Sequence, residues 1–144
     1  AQDVARRYRC TRLSLGVPTW FYGHEPPNLF ATRIAKFFTN ALREDVLLRM
    51  CRGGLVYLPG AAGTVQEVFQ AVTPNYYAAA SDPVAPLVLV GSEYWTEVLP
   101  VWPLLHSLAA GRRMADAIRL VDSTDEAIAA LSAGRRAAPP PAHG

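Results

Sequence analysis

The stretch Leu55-Val56-Tyr57-Leu58-Pro59-Gly60-Ala61-Ala62-Gly63-Thr64 constrains this chain more than any other. Its short continuous apolar run reads as a strand buried on both faces, the pattern of parallel sheets. The run passes into a turn of small residues. From Thr64 a helix follows, with Val65, Val68, Phe69 and Val72 at helical spacing. The first N–H groups of a helix have no partner within it and sit at the positive end of its dipole. Glycine and alanine let a ligand come close to them, and phosphate suits that arrangement. The dipole supplies only about 0.3–1 kcal/mol, so several N–H bonds and the Thr64 hydroxyl have to supply the rest.

The same unit recurs along the chain. Leu13–Val17 reads as a strand stopped by Pro18, and Gly23–Asn28 as a loop. Ile34–Phe38 fits a short strand or a helical turn equally well. Leu42–Arg52 reads as a helix ended by Gly53-Gly54. Pro86–Val90 and Ile118–Val121 are further strands, with a helical stretch over Glu93–Ala110 that Pro100 and Pro103 should break. Ser123 or Thr124 caps a last helix, Asp125–Ala133. Strands and helices alternating at about 30 residues per unit imply an α/β fold, a parallel sheet with helices on both faces. Ligands in such sheets sit beyond the carboxyl ends of the strands. The loops Thr19–Asn28 and Pro59–Thr64 leave strands at that edge. Residues 1–133 are expected to form one domain. Ala1–Arg9 reads as the end of something, and residues 134–144 as a disordered Arg/Ala/Pro tail.

Composition narrows the classes. A net charge of +2 over 144 residues invites neither nucleic acid nor an acidic membrane. No apolar run approaches the roughly 18 residues that span a bilayer. Cys10 and Cys51 make neither a disulfide framework nor a zinc site; buried thiols in a reducing cytoplasm are the expectation. The loop lacks the Lys-Ser/Thr pair of a nucleoside triphosphate site and the spacing of a dinucleotide fingerprint.

Two candidate residues carry open alternatives. Thr64-Val65-Gln66-Glu67 fits a capping box as well as a ligand site. On the Leu42–Arg52 wheel, Leu42, Val46, Leu47 and Met50 share one broad arc and Arg43 falls inside it, while Glu44, Asp45, Arg49 and Arg52 fall outside. An inward arginine needs an anionic partner, either a carboxylate or a ligand.

Pro59-Gly60-Ala61-Ala62-Gly63-Thr64-Val65-Gln66-Glu67 resembles the Pro-Gly-Gly-x-Gly-Thr-x-x-Glu signature of the LOG family, cytokinin-activating phosphoribohydrolases and related nucleotide 5′-monophosphate nucleosidases often labelled lysine decarboxylases. His24-Glu25-Pro26-Pro27-Asn28 is similar to a segment of the larger bacterial nucleosidases. The resemblance implies a Rossmann-like fold, here without its N-terminal βα units, and a homodimer. It implies hydrolysis of the N-glycosidic bond of a nucleoside 5′-monophosphate, without metal or other cofactor. Gly60, Ala61, Ala62, Gly63 and Thr64 would hold phosphate. Glu67 and Arg43 would be catalytic, and His24, Glu25 and Asn28 would line the substrate loop. Ala61 departs from the family's second glycine. The alternatives are a protein of the same fold that binds a nucleotide or phosphate-bearing cofactor without cleaving it, and an inactive fragment. Lys36, the one lysine, has nothing around it that reads as a pyridoxal phosphate site. Trp95, Leu99 and Trp102 read as core or dimer packing, and Tyr76 and Tyr77 as residues that could face a partner.

Overall fold

The computed structural model describes residue 7 and residues 13–20 and 28–137. The chain forms two compact units, Ala1–Leu47 and Leu48–Gly144.

In the first unit, β1 (Leu15–Gly16) and β2 (Arg33–Ile34) pair in parallel, Leu15 opposite Arg33 and Gly16 opposite Ile34. A bridge between Thr19 and Phe37 carries the pairing on, with Phe37 N–H donating to the Pro18 carbonyl and Trp20 N–H to that of Phe37. The segment that fits strand and helix alike is therefore extended, because a neighbouring chain segment takes up its backbone groups. α1 spans Asn40–Met50. Its expected inward arc is not the buried one: Leu42 is 54% and Met50 69% exposed, while Glu44 is 1% exposed. Apolar residues lie all round this helix, so no single stripe dictates which side turns inward.

The second unit is a three-stranded parallel sheet in the order β3–β4–β5, from β3 (Leu55–Tyr57), β4 (Leu87–Val90) and β5 (Ile118–Val121). Register places Leu55 beside Leu87 and Ile118 on one face, and Tyr57 beside Leu89 and Leu120. That face packs on α2 (Ala62–Tyr76) through Val68, Ala71 and Val72, and on α3 (Val101–Ala109) through Val101, Leu105 and Ala109. Trp95 and Met114, both fully buried, fill the gaps. α4 (Thr124–Ala137) packs against β4 and β5 from the other side, where Val88 and Ala127 are buried. Helices thus cover both faces of an α/β, Rossmann-like parallel sheet. Among the described residues no helix is long and apolar enough to cross a membrane.

Several local expectations shift. β3 is buried on one face only: Tyr57 is 6% exposed, but Val56 and Leu58, which share the opposite face, are 43% and 61% exposed. β3 is an edge of this sheet, which accounts for half a strand's worth of uncovered apolar surface. Pro103 does not break α3. It falls in the helix's first turn, where a missing N–H costs nothing, and Pro100 alone marks the break. A π-helical turn, Tyr94–Val98, precedes it. α4 runs four residues beyond its expected end, through Gly134 to Ala137. A single glycine costs a helix only about 1 kcal/mol. Asn75 is buried and clamps the approach to β4, donating to the Ala85 carbonyl and accepting from the Ala85 N–H.

Ser123 caps α4 as expected. Its hydroxyl accepts from Glu126 N–H, and Glu126 accepts in return from the N–H groups of Ser123 and Asp122. Asp122 accepts from the N–H and hydroxyl of Ser92. These bonds hold both carboxyls below their ordinary 3.8 and 4.5. Groups with depressed pKa in the folded state stabilise it above their unfolded values and lose that contribution as pH falls through the folded ones. Stability should therefore be level above about pH 5 and decline below it. Asp122→Asn with Glu126→Gln should flatten this acid limb in urea titrations between pH 3 and pH 6. In the core, Leu89→Ala should cost about 2–5 kcal/mol by the same method. The exposed Ile128→Ala should cost less than about 0.5 kcal/mol.

Candidate functional site

Tyr57 closes β3 with its ring buried, and its hydroxyl donates to the Glu67 carbonyl at 3.2 Å. Burial raises the phenol's pKa, with the Glu67 carboxylate and the Cys51 thiol adding to the effect. The end of the strand is thereby tied to the second turn of α2. Between them the chain turns through Pro59, Gly60 and Ala61, and the helix begins at Ala62, two residues earlier than its apolar spacing suggests.

That early start bears on one of the two readings of Thr64, the capping box. Ala61 is the N-cap, extended at φ −99° and ψ −151°, and no side chain caps it. Thr64 lies inside the first turn, so the capping box does not form. Instead Thr64 closes over Gly60: a Cβ on residue 60 would stand 2.2 Å from the Thr64 Oγ1 and 2.7 Å from its Cβ. The first bond within the helix runs from Val65 N–H to the Ala61 carbonyl, 3.1 Å. The N–H groups of Ala62, Gly63 and Thr64 precede it and have no partner in the helix. The first turn holds no acidic residue. Ala61, Ala62 and Gly63 are exposed, and a Cβ on Gly63 would meet nothing within 4 Å. Among the described residues, the corner is thus lined by small exposed side chains at the positive end of the helix dipole. Glu67, half-buried, stands three residues after Thr64 and so on the same side of the helix.

The loop after β4 supports this corner. Gly91 has φ +99°, a conformation that favours glycine, and its N–H donates to the Val121 carbonyl at 2.8 Å. A Cβ there would lie 3.5 Å from the Pro59 ring. The Tyr94 hydroxyl donates to the Gly60 carbonyl at 2.8 Å. Pro59–Thr64 and Gly91–Tyr94 thus meet at the carboxyl edge of the sheet, where α/β folds place ligands. Tyr94 has no distinctive sequence pattern. Its position four residues past a strand end is the one signal that could have drawn attention to it.

Arg43 and Asn28 belong to the other unit. The Arg43 side chain is inward as expected, 16% exposed, but a carboxylate is its partner: Nη2 lies 3.6 Å from Oε1 of Glu44, itself almost fully buried. The Asn40 side-chain amide donates to the same oxygen. Glu44, placed by the wheel on the outer side, is the residue that sequence reasoning missed. Asn28 forms an exposed turn, its Oδ1 accepting from Phe30 N–H. His24, Glu25 and Cys10 lie outside the described residues. Cys51 is half-buried rather than buried. Lys36 is exposed, with Nζ 3.6 Å above the Trp20 ring. Trp95 is core, and Leu99 and Trp102 pack against it. Tyr76 is held within the chain by Arg112, which donates to its hydroxyl at 2.7 Å, whereas Tyr77 is 77% exposed.

The two motif glycines should respond differently to a methyl group. Gly60→Ala must push Thr64 aside and should destabilise the chain by about 1–3 kcal/mol. Gly63→Ala meets open space in a helical turn and should be neutral or stabilising by up to about 1 kcal/mol. Thermal unfolding of both variants checks the contrast.

No curated protein matches the sequence significantly. Residues 2–132, nearly the whole chain, match the model of a family described as possible lysine decarboxylase. With the Pro59–Glu67 signature in place at the mouth of α2, the chain belongs to that family, the LOG family.

Proposed function

We propose that this chain hydrolyses the N-glycosidic bond of nucleoside 5′-monophosphates. Water adds across the bond between ribose C1′ and the base nitrogen, releasing free base and ribose 5-phosphate. The observation that carries this reading is the open first turn of α2, with its exposed small residues and no acidic side chain, beside a carboxylate one turn on. The N–H groups at Ala62, Gly63 and Thr64 and the Thr64 hydroxyl would hold the phosphate. Cleavage builds positive charge on the ribose, and the Glu67 carboxylate, fixed on the same side of the helix, would stabilise it electrostatically. Family membership supports a phosphoribohydrolase type of activity. Lysine decarboxylation draws no support from Lys36, whose ammonium rests on the face of an indole.

The pairing of Arg43 with Glu44 favours a second reading, in which the protein holds the nucleotide without cleaving it. An arginine already engaged by a buried carboxylate has less to offer a departing base.

Incubation with a panel of nucleoside monophosphates should release free base. Glu67→Gln, which keeps the side chain's shape and removes its charge, should lower kcat by about 10²–10³-fold. Binding without release supports the second reading. Release unchanged in Glu67→Gln removes Glu67 from the chemistry.

A further inference from the structure

A cavity of about 610 Å³ opens at the amino edge of the three-stranded sheet, the edge opposite the Pro59–Thr64 corner. Its lining includes Pro86 and Ala117, the residues that lead into β4 and β5. Much of its wall is apolar: Pro83, Val84 and Pro86 from the segment before β4, and Ala130 and Ala133 from α4. A cavity of this size with an apolar wall and a few fixed polar groups suits a small molecule.

The charged groups are two arginines and two aspartates. Arg113, in a 3₁₀ turn over Arg113–Asp116, is anchored through Nη1, which donates to the carbonyls of Ala79 and Asp82. Arg119 stands beside Val88 in the register of β4 and β5, and so on the face that α4 covers. Its Nη1 donates to the Ile118 carbonyl at 2.7 Å and to that of Ala115 at 3.5 Å. In both side chains the anchored nitrogen is the one that shares no edge with the Nε–H, so the Nε–Nη2 edge is unspent. That edge presents two parallel N–H groups, the geometry that grips a carboxylate. Among the described residues neither guanidinium has a carboxylate within ion-pairing distance. Asp82 is occupied, its Oδ2 accepting from the Ala79 N–H at 2.8 Å, and Asp116 is exposed. Two positive and two negative groups make the lining neutral overall. A polyphosphate would be repelled by the two aspartates, whereas a single carboxylate needs only one guanidinium edge.

We propose that this cavity binds a small organic acid, its carboxylate on the Nε–Nη2 edge of Arg119 and its apolar body against the prolines and alanines of the wall. The site lies at the other edge of the sheet from the nucleotide corner and does not depend on that reading.

The probe is hexanoate, followed by the methyl resonances of Val84 and Val88 in the whole chain. These should shift saturably. Acetate, which lacks the apolar body, should bind at least about 10-fold more weakly, and hexylamine, which reverses the charge, should not bind. Arg119→Gln removes the charge and the fork from an exposed position. It should weaken hexanoate binding by about 10–100-fold, with the melting temperature within about 5 °C of the parent. Arg112→Gln, whose arginine is held on Tyr76 and does not line the cavity, should leave the affinity unchanged. If hexanoate gives no saturable shift, if hexylamine binds as tightly, or if Arg119→Gln binds hexanoate like the parent, the inference falls. None of these outcomes bears on release of free base from nucleoside monophosphates, which judges the nucleotide reading separately.

Discussion

A glycine pressed against a threonine organises the functional end of this protein. Gly60 lies so near Thr64 that any side chain on it would overlap the threonine hydroxyl, and that contact draws the first turn of α2 back over the loop. The helix consequently opens at Ala62, and Thr64 is spent neither as a cap nor as a turn residue. The amides ahead of the first helical bond have no partner within the helix, and Ala61, Ala62 and Gly63 beside them are small and exposed. An arrangement that merely capped the helix would have filled the same space with a side chain.

The parallel sheet determines what stands beside that corner. Because paired residues share a face, Leu55, Leu87 and Ile118 form one row across the three strands and Tyr57, Leu89 and Leu120 the next, all turned toward α2 and α3. The rows bring the three strand ends level at the carboxyl edge. The loop after β4 then reaches the loop after β3, Gly91 against Pro59 and Tyr94 onto Gly60, while Ser92 reaches across to Asp122 beyond β5. Three segments far apart in sequence support one turn. Tyr57, at the end of β3, holds the second turn of α2 from beneath, and the neighbouring carboxylate of Glu67 makes its phenol harder to ionise.

α1 follows a different rule. Its apolar residues point in many directions, and the side that turns inward carries Glu44, with Arg43 beside it and Asn40 one turn earlier. A buried carboxylate is tolerable only with charged and hydrogen-bonding partners, and this helix supplies them locally. Arg43 is inward, but not for the wheel's reason: Leu42 and Met50, of the arc on which the wheel placed it, are exposed. Its partner was not legible, because the wheel assumes that apolar residues choose the buried side.

The sequence by itself determined the alternation of strands and helices, the parallel sheet, the Ser123–Glu126 cap and the family signature from Pro59 to Glu67. These are local properties: an apolar run, a turn of small residues, a side chain reaching three residues along its own helix. Tertiary structure decided the extended path through Phe37, the one-sided burial of β3, the Glu44 partner of Arg43, and Thr64's place inside the first turn rather than at the cap. It also decided the presence of Tyr94 at Gly60. Each of these depends on which distant segment arrives to supply a hydrogen bond, cover a face or occupy a gap, and periodicity along the chain holds no record of that.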